Sequence, residues 1–137
     1  MKDQTKDLIK AALAARAHAY APYSHFAVGA ALLAADGRVF TGCNLETAAF
    51  NSICAERAAL AAAISAGVRD FRALAVVGGA AEEAPAAPCF PCGLCRQTLS
   101  EFCAADFPVI VARSADDYAT YTLTELLPHS FRTPTTD

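Results

Sequence analysis

The sequence predicts an α/β layered fold built on a mostly buried, mixed sheet, because strand patterns and helix patterns alternate along the chain. Two short segments, Ala73–Val77 and Val109–Ala112, are apolar at every position, as is typical of strands covered on both faces. Earlier in the chain, the apolar strand Phe26–Leu33 leads through the turn Ala35–Gly37 into a returning strand over Val39–Asn44. These strands make up most of the predicted sheet.

Two helices are predicted around the first pair of strands. The first runs from Thr5 to about Tyr20, with small and apolar side chains on one face, and the segment Ala21–Ser24 breaks it. The second covers Ser52–Ala66 and stops at Gly67, because glycine is favoured just after a helix end.

The second half of the chain continues the alternation. Gly78–Pro88 is small, acidic and proline-containing, which indicates a loop. Pro91 suits the first position of a third helix, which is predicted to run to about Cys103. A last strand over Tyr118–Thr122 and a short helix over Leu123–Leu127 complete the predicted elements.

Composition bounds the function. The length of 137 residues suits a single domain over residues 1–137. Hydrophobic residues make up 55% and charged residues 18%, so we expect part of the surface to pack against another subunit. The net charge is −3 and no basic patch is visible, which favours a small neutral substrate over a nucleic acid.

No apolar stretch reaches membrane-spanning length, and no apolar signal region follows the charged N-terminus. We therefore predict no membrane association and a cytoplasmic location. In that compartment, the six cysteines suit metal binding and buried thiols better than disulfides.

Two cysteine clusters carry the chemistry, Cys54-Ala55-Glu56-Arg57 and Pro91-Cys92-Gly93-Leu94-Cys95-Arg96-Gln97. Cys92 and Cys95 are three residues apart near a helix start, so both sulfurs can reach one ion. Cys54 lies near the start of the preceding helix, where free N–H groups and the helix dipole favour thiolates. Three thiolates with an open fourth position are typical of a catalytic zinc site.

Three charged residues beside these ligands complete the predicted site. Glu56 is placed to carry protons between a zinc-activated water and the substrate. Arg57 and Arg96 are predicted to hydrogen-bond to the sulfurs and to offset the negative charge of three thiolates. Taken singly, Glu56 also suits a partner of the helix dipole, and Arg57 suits a solvated side chain.

A non-enzymatic protein with structural zinc or an iron–sulfur centre is an alternative, since a lone C-x-x-C is often structural or redox-active. Cys89, Cys92 and Cys95 form the run that opens a ferredoxin motif, but Leu99 stands where its fourth cysteine belongs. We interpret Cys89 as a free thiol. This alternative requires a fourth ligand, for which Cys89 and Cys103 are the candidates.

Four blocks of the sequence carry a family resemblance: Phe26-Ala27-Val28-Gly29-Ala30-Ala31-Leu32, Gly42-Cys43-Asn44-Leu45-Glu46, Cys54–Arg57 and Pro91–Gln97. In these blocks, and over nearly its whole length, the chain resembles the small, homotetrameric, zinc-dependent class of cytidine deaminases. The resemblance implies a three-layer α/β/α sandwich around a five-stranded mixed sheet. It also implies one Zn²⁺ per subunit and a homotetramer whose active sites form at subunit contacts.

The resemblance further implies substrate contacts from two aromatic rings, two polar side chains and two backbone positions: Phe26, Phe131, Asn44, Glu46, Ala55 and Pro91. The rings would contact the pyrimidine, with Phe131 reaching it from a neighbouring subunit. The polar pair would hold the ribose hydroxyls, and the backbone groups would bind the amide edge of the base. Without the resemblance, the rings suit ordinary core packing and Asn44 suits a turn at a strand end.

The implied activity is hydrolytic deamination of cytidine and 2′-deoxycytidine to uridine and 2′-deoxyuridine, with release of ammonia, as in pyrimidine salvage. The enzyme would be a hydrolase of a cyclic amidine C–N bond. Thr47 replaces the asparagine usual in this class, Phe50 replaces a tyrosine, and the segment Thr47–Ile53 is one residue shorter. These departures leave a modified or related aminopyrimidine nucleoside open as an alternative substrate.

Overall fold

A computed structural model of the chain describes residues 2–133. Over this range, helices and strands follow one another in the order α1 (Lys2–Arg16), β1 (Phe26–Ala34), β2 (Val39–Cys43), α2 (Ala55–Ser65), β3 (Phe71–Ala80), α3 (Gly93–Ser100), β4 (Pro108–Ser114), β5 (Asp117–Thr122) and α4 (Leu123–Leu126). No helix in this part of the chain is both long enough and apolar enough to cross a membrane.

The strands form one five-stranded sheet in the order β2-β1-β3-β4-β5. β3 and β4 run parallel, whereas the other neighbouring strands run antiparallel. A parallel pair needs a crossover connection, and α3 lies in the segment that joins β3 to β4. The mixed five-stranded sheet is therefore confirmed.

Helices cover both faces of the sheet because its strands are apolar on both faces. Along β1, Ala30 and Leu32 pack with residues of α2, whereas Ala31 and Leu33 pack with residues of α1. Leu99 of α3 joins the same cluster as α2. Alternating side chains of a strand thus pack into two hydrophobic cores, one on each face of the sheet. The predicted three-layer α/β/α sandwich is confirmed.

Gly42 lets β2 approach α2 closely. A Cβ atom at this position would lie 2.5 Å from both the carbonyl oxygen of Ala55 and the backbone nitrogen of Ala59. Glycine is therefore required by the space between strand and helix. This contact sets the depth at which the first turn of α2 lies on the sheet.

Backbone pairing, which competes with local propensity, accounts for two of the boundaries that differ from the sequence prediction. α1 ends at Arg16 rather than near Tyr20, since the Tyr20 amide donates to the Asn44 carbonyl at 3.0 Å. β3 continues to Ala80 through the first residues of the predicted loop, because Phe26 of β1 pairs with Ala80.

The two helices that carry the cysteines are also shorter than predicted. α2 begins at Ala55 rather than Ser52, and α3 begins at Gly93 rather than Pro91. In each case the residue before the helix has extended backbone dihedrals and acts as the N-cap. α3 ends at Ser100, after which tight turns replace the helical pattern that was expected to reach Cys103.

Candidate active site

The three predicted ligands come together where the N-termini of α2 and α3 meet. Cys54 is the N-cap of α2, Cys92 is the N-cap of α3, and Cys95 lies in the first turn of α3. The Sγ atom of Cys92 is 3.6 Å from that of Cys54 and 3.4 Å from that of Cys95. All three sulfurs lie within 4.8 Å of one another.

This donor set fits zinc. Thiolates are soft ligands that select zinc over hard cations, and Zn–S bonds near 2.3 Å place tetrahedral sulfurs about 3.8 Å apart. The sulfur separations found here are close to that value. Among the described side chains, no fourth cysteine, histidine or carboxylate joins the cluster, and neither Cys89 nor Cys103 belongs to it. The arrangement therefore matches an open site better than a closed structural one.

The protonation of the three thiols depends on their different surroundings. Burial is the main cause that raises the pKa of Cys54 and of Cys95. Burial also acts to raise the pKa of Cys92, but hydrogen bonds from the Cys95 backbone and from the two neighbouring thiols outweigh it, so this pKa is lowered. Metal binding therefore has to release protons from the cluster, which makes zinc affinity dependent on pH.

Arg57 lies beside the sulfurs, as predicted from its place in the sequence. Its Nη2 is 3.9 Å from the Sγ of Cys54 and donates to the carbonyl of Ser52 at 3.0 Å. Its Nε is buried and lacks a hydrogen-bond partner among the described residues. The guanidinium thus brings a positive charge to the thiol cluster.

Arg96 differs from the prediction that it would bond to the sulfurs. Its Nε donates to the carbonyl of Pro91 at 2.7 Å, and its Nη1 donates to the carbonyl of Leu126 at 2.7 Å. The reason is that α3 begins only at Gly93, so the Pro91 carbonyl lies outside the helix and needs another donor. Arg96 fixes the backbone just before the ligand Cys92 rather than the ligand itself.

Glu56 is a buried carboxyl group in the first turn of α2, with only 5% of its surface exposed. Burial raises its pKa, against the opposing effects of a backbone hydrogen bond and the charge of Arg57. Together with Cys54 and Cys92, Glu56 lines an open pocket of about 180 Å³. A carboxyl group whose pKa is raised holds a proton more readily than an ordinary glutamate, which suits a group that both accepts and releases protons.

Asn44 and Glu46 line the same pocket and hold the backbone at the start of β1. The Asn44 side chain accepts from the Val28 amide at 2.9 Å and donates to the Phe26 carbonyl at 2.8 Å. Oε1 of Glu46 accepts from the amides of residues 23 and 24, and its Oε2 accepts from the Ser24 hydroxyl at 2.5 Å. The bond from the Ser24 hydroxyl is the main cause that lowers the pKa of Glu46.

The remaining predicted contacts are divided between the pocket and the surface. Ala55 is fully buried and lines the pocket. Phe26 lies at the start of β1 and is 44% exposed, whereas Phe131 is 69% exposed. Among the described residues of a single chain, neither ring lines the pocket.

Two residues near the site were missed from the sequence. Phe90 lines the pocket and packs edge-to-face on Tyr121, with ring centroids 5.2 Å apart. Ser24 binds the Glu46 carboxylate. In the sequence, Phe90 is visible only as an aromatic residue before Pro91, and Ser24 only as a serine in the turn after the first helix. Neither pattern indicates which distant residue the side chain contacts.

Comparison with known proteins identifies the family. Residues 2–111 match the model of the family described as cytidine and deoxycytidylate deaminase zinc-binding region. The chain belongs to this family. The matched region is a zinc-binding region and covers both cysteine clusters, so Zn²⁺ is the metal of this family, and Cys54, Cys92 and Cys95 form the group that could hold it.

Individual relatives within the deaminase family agree in sequence and fold. A cytidine deaminase from Sporosarcina psychrophila is 48% identical over 90% of this chain and 88% of its own length. The crystal structure of cytidine deaminase from Burkholderia pseudomallei matches with a TM-score of 0.83 at 45% identity, covering 91% of this chain and 97% of that one. The structure of the Mycobacterium tuberculosis cytidine deaminase matches with a TM-score of 0.78 at 39% identity, over 93% and 96% of the two chains.

Proposed function

We propose that this chain catalyses the hydrolytic deamination of cytidine and 2′-deoxycytidine to uridine and 2′-deoxyuridine, with release of ammonia. The observation that carries the proposal is the convergence of three thiols and the buried Glu56 in one pocket. The relatives from Sporosarcina psychrophila and Burkholderia pseudomallei, both named cytidine deaminases, support the choice of substrate.

The chemistry assigns Glu56 the movement of protons. Zinc, when bound by Cys54, Cys92 and Cys95, supplies a Lewis acid that lowers the pKa of water. The Glu56 carboxylate takes a proton from the attacking water and delivers it to N3 of the ring. The water oxygen bonds to C4, and the second proton is taken from the hydroxyl group formed there. The same carboxyl group passes this proton to the amine, whose bond to C4 breaks as ammonia leaves and the C4 oxygen becomes the carbonyl of uridine. Burial of Glu56 supports this role, because it raises the pKa of the carboxyl above its ordinary value and so makes the group a better proton acceptor.

Two arginines support the site in different ways. The guanidinium of Arg57 near the Cys54 sulfur offsets part of the negative charge that three thiolates place on the metal. Arg96 anchors the Pro91 carbonyl, so the backbone that precedes Cys92 is fixed before the substrate arrives. The backbone at Ala55 and Pro91 would then face the amide edge of the base.

The sugar is assigned to Asn44 and Glu46, which retain hydrogen-bonding capacity beyond their internal bonds. A carboxylate accepts about four hydrogen bonds, and the Glu46 carboxylate receives three from residues 23 and 24. The Asn44 amide keeps one N–H donor and one acceptor position beyond its bonds to β1. An amide and a carboxylate held in this way suit the neutral hydroxyls of ribose.

We further propose a homotetramer in which Phe26 of one subunit and Phe131 of another contact the same pyrimidine. In the single chain Phe131 is 69% exposed and Phe26 is 44% exposed, and the pocket is open. Exposed apolar rings around an open pocket favour closure by a partner. The net charge of −3 argues against a nucleic-acid substrate. We place the enzyme in the cytoplasm, in pyrimidine salvage.

The test is product analysis with the purified, zinc-loaded protein. Cytidine and 2′-deoxycytidine should each give ammonia and the matching uridine in equal amounts. Cytidine 5′-monophosphate serves as the comparison, and its turnover should be poor because no lysine or arginine among the described residues lines the pocket. A zinc-loaded protein that leaves both nucleosides intact would overturn the proposal and direct attention to other aminopyrimidine nucleosides.

A further inference from the structure

The chain after α4 is held to the zinc-ligand helix by side chains rather than by secondary structure. Residues 127–133 contain no helix or strand. The backbone of Phe131 nevertheless uses both of its polar groups. Its amide donates to Oε1 of Gln97 at 2.9 Å, and its carbonyl accepts from Nε2 of Gln97 at 2.8 Å.

This pairing is specific to a primary amide of the right length. A side-chain amide offers one donor and one acceptor side by side, so it reproduces the pairing that a strand offers to its neighbour. Glutamate lacks the donor, and asparagine is one methylene shorter. Gln97 lies two residues beyond Cys95 on α3. The helix that bears two of the predicted zinc ligands therefore also carries this pair of hydrogen bonds to Phe131, which we call the clamp.

The neighbouring bonds hold the segment on both sides of this point. Arg96 donates to the carbonyl of Leu126 at 2.7 Å, before the clamp. Arg132 Nη2 is 3.4 Å from the carbonyl of Ser100, after it. Between these contacts, Gln97 contributes two bonds to a single residue, which fixes the backbone orientation at Phe131.

The ring of Phe131 gains little from packing within its own chain, since 69% of the residue is exposed. A free terminal segment with an exposed ring would sample many orientations. We propose that Gln97 is the positioning residue for Phe131, and that its amide presents the ring in the orientation that binds the pyrimidine. This inference rests on the proposed function, in which Phe131 contacts the base bound by a neighbouring copy.

The kinetic test compares Gln97→Met with the wild type. Methionine keeps the length of the side chain and loses both hydrogen bonds to Phe131. We expect KM for cytidine to rise by on the order of tenfold, with a much smaller change in kcat and unchanged zinc content. Thr98→Val is the matched control on α3, because Thr98 bonds only within its own helix among the described contacts and should leave KM unchanged.

Coupling to the ring separates positioning from a general structural role. Phe131→Ala should raise KM by at least as much, and adding Gln97→Met to it should raise KM no further. Independent, additive effects of the two substitutions would overturn the inference. So would a Gln97→Met enzyme with the KM of the wild type.

Amide hydrogen exchange gives a readout that does not depend on turnover. The Phe131 amide should be protected in the wild type and in Thr98→Val, and it should exchange freely in Gln97→Met. An unprotected Phe131 amide in the wild type would overturn the clamp. If the wild type deaminates neither nucleoside, the proposed function fails, and the exchange result still decides whether Gln97 holds the segment.

Discussion

The close contact between β2 and α2 makes Gly42→Ala a direct test of how the fold positions the site. The added methyl carbon would lie 2.5 Å from the Ala55 oxygen and from the Ala59 nitrogen, whereas ordinary contacts begin at 3.4 Å. The helix must therefore move away from the strand by about 0.9 Å, from 2.5 Å to 3.4 Å. Cys54 caps this helix and Glu56 lies in its first turn, so both would move relative to the ligands on α3.

The expected cost has two parts. Overpacking of this kind lowers the free energy of unfolding by about 1–3 kcal/mol. Misplacing catalytic groups by about 1 Å lowers kcat/KM on the order of 100-fold. Urea unfolding and steady-state deamination kinetics measure the two effects separately. Gly93→Ala is the matched control for stability, because a Cβ at Gly93 meets nothing within 4 Å.

A Gly42→Ala enzyme with the unfolding free energy and kcat/KM of the wild type would refute this reasoning. A loss of stability with unchanged kcat/KM would show that the depth of α2 on the sheet does not control the geometry of the site.

Two further predictions concern the metal and the sugar contact. Cys92→Ser should abolish zinc retention in metal analysis after dialysis, whereas Cys103→Ser should keep it, since Cys103 lies outside the thiol cluster; zinc loss from Cys103→Ser would favour a four-ligand structural site. The bond from Ser24 lowers the pKa of Glu46, so the Glu46 side chain is ionised at and above the ordinary pKa of a glutamate. Its contacts with the sugar are lost only when the pH falls through the lowered pKa. Ser24→Ala should therefore move the rise in KM for cytidine that accompanies falling pH to a higher pH than in the wild type. Both proteins share the pH dependence of zinc binding, so identical profiles of KM against pH in the two proteins would contradict this role of Glu46.

The metal ligands could be predicted because their signal is local. Cys54 lies at one helix start, and Cys92 and Cys95 lie at another, where geometry and dipole favour thiolates whatever the rest of the fold does. Each apolar strand can likewise be predicted from a few consecutive residues. The layered α/β fold with a mixed sheet followed from the alternation of these elements, whereas the two helical layers and the number of strands were implied by the family resemblance.

Features that depend on distant pairing could not be read in this way. The early end of α1 follows from the bond between Tyr20 and the Asn44 carbonyl, and the length of β3 follows from its pairing with β1. Arg96 was assigned to the sulfurs because it stands beside Cys95. In the structure Arg96 instead donates to the carbonyl of Pro91, which precedes α3, and to the carbonyl of Leu126, which follows it in the chain. The sequence neighbours of a residue do not specify which distant backbone group lacks a donor.

The proposed substrate contacts also depend on distant pairing as well as on local sequence. Asn44 and Glu46 lie in the pocket, but their internal bonds to the start of β1 became visible only with the fold. Phe26 and Phe131 remain exposed within one chain. Their proposed roles depend on how subunits meet, which is a property of the assembly rather than of local sequence.

The role of Glu56 in moving the protons of a zinc-dependent deamination is tested by comparing ammonia release from Glu56→Gln with that from the wild type. Zinc content is measured on both proteins. The account predicts equal zinc in the two proteins and a loss of kcat of roughly 100-fold to 10,000-fold in the variant. A zinc-loaded Glu56→Gln enzyme that releases ammonia from cytidine at the wild-type rate would contradict the account.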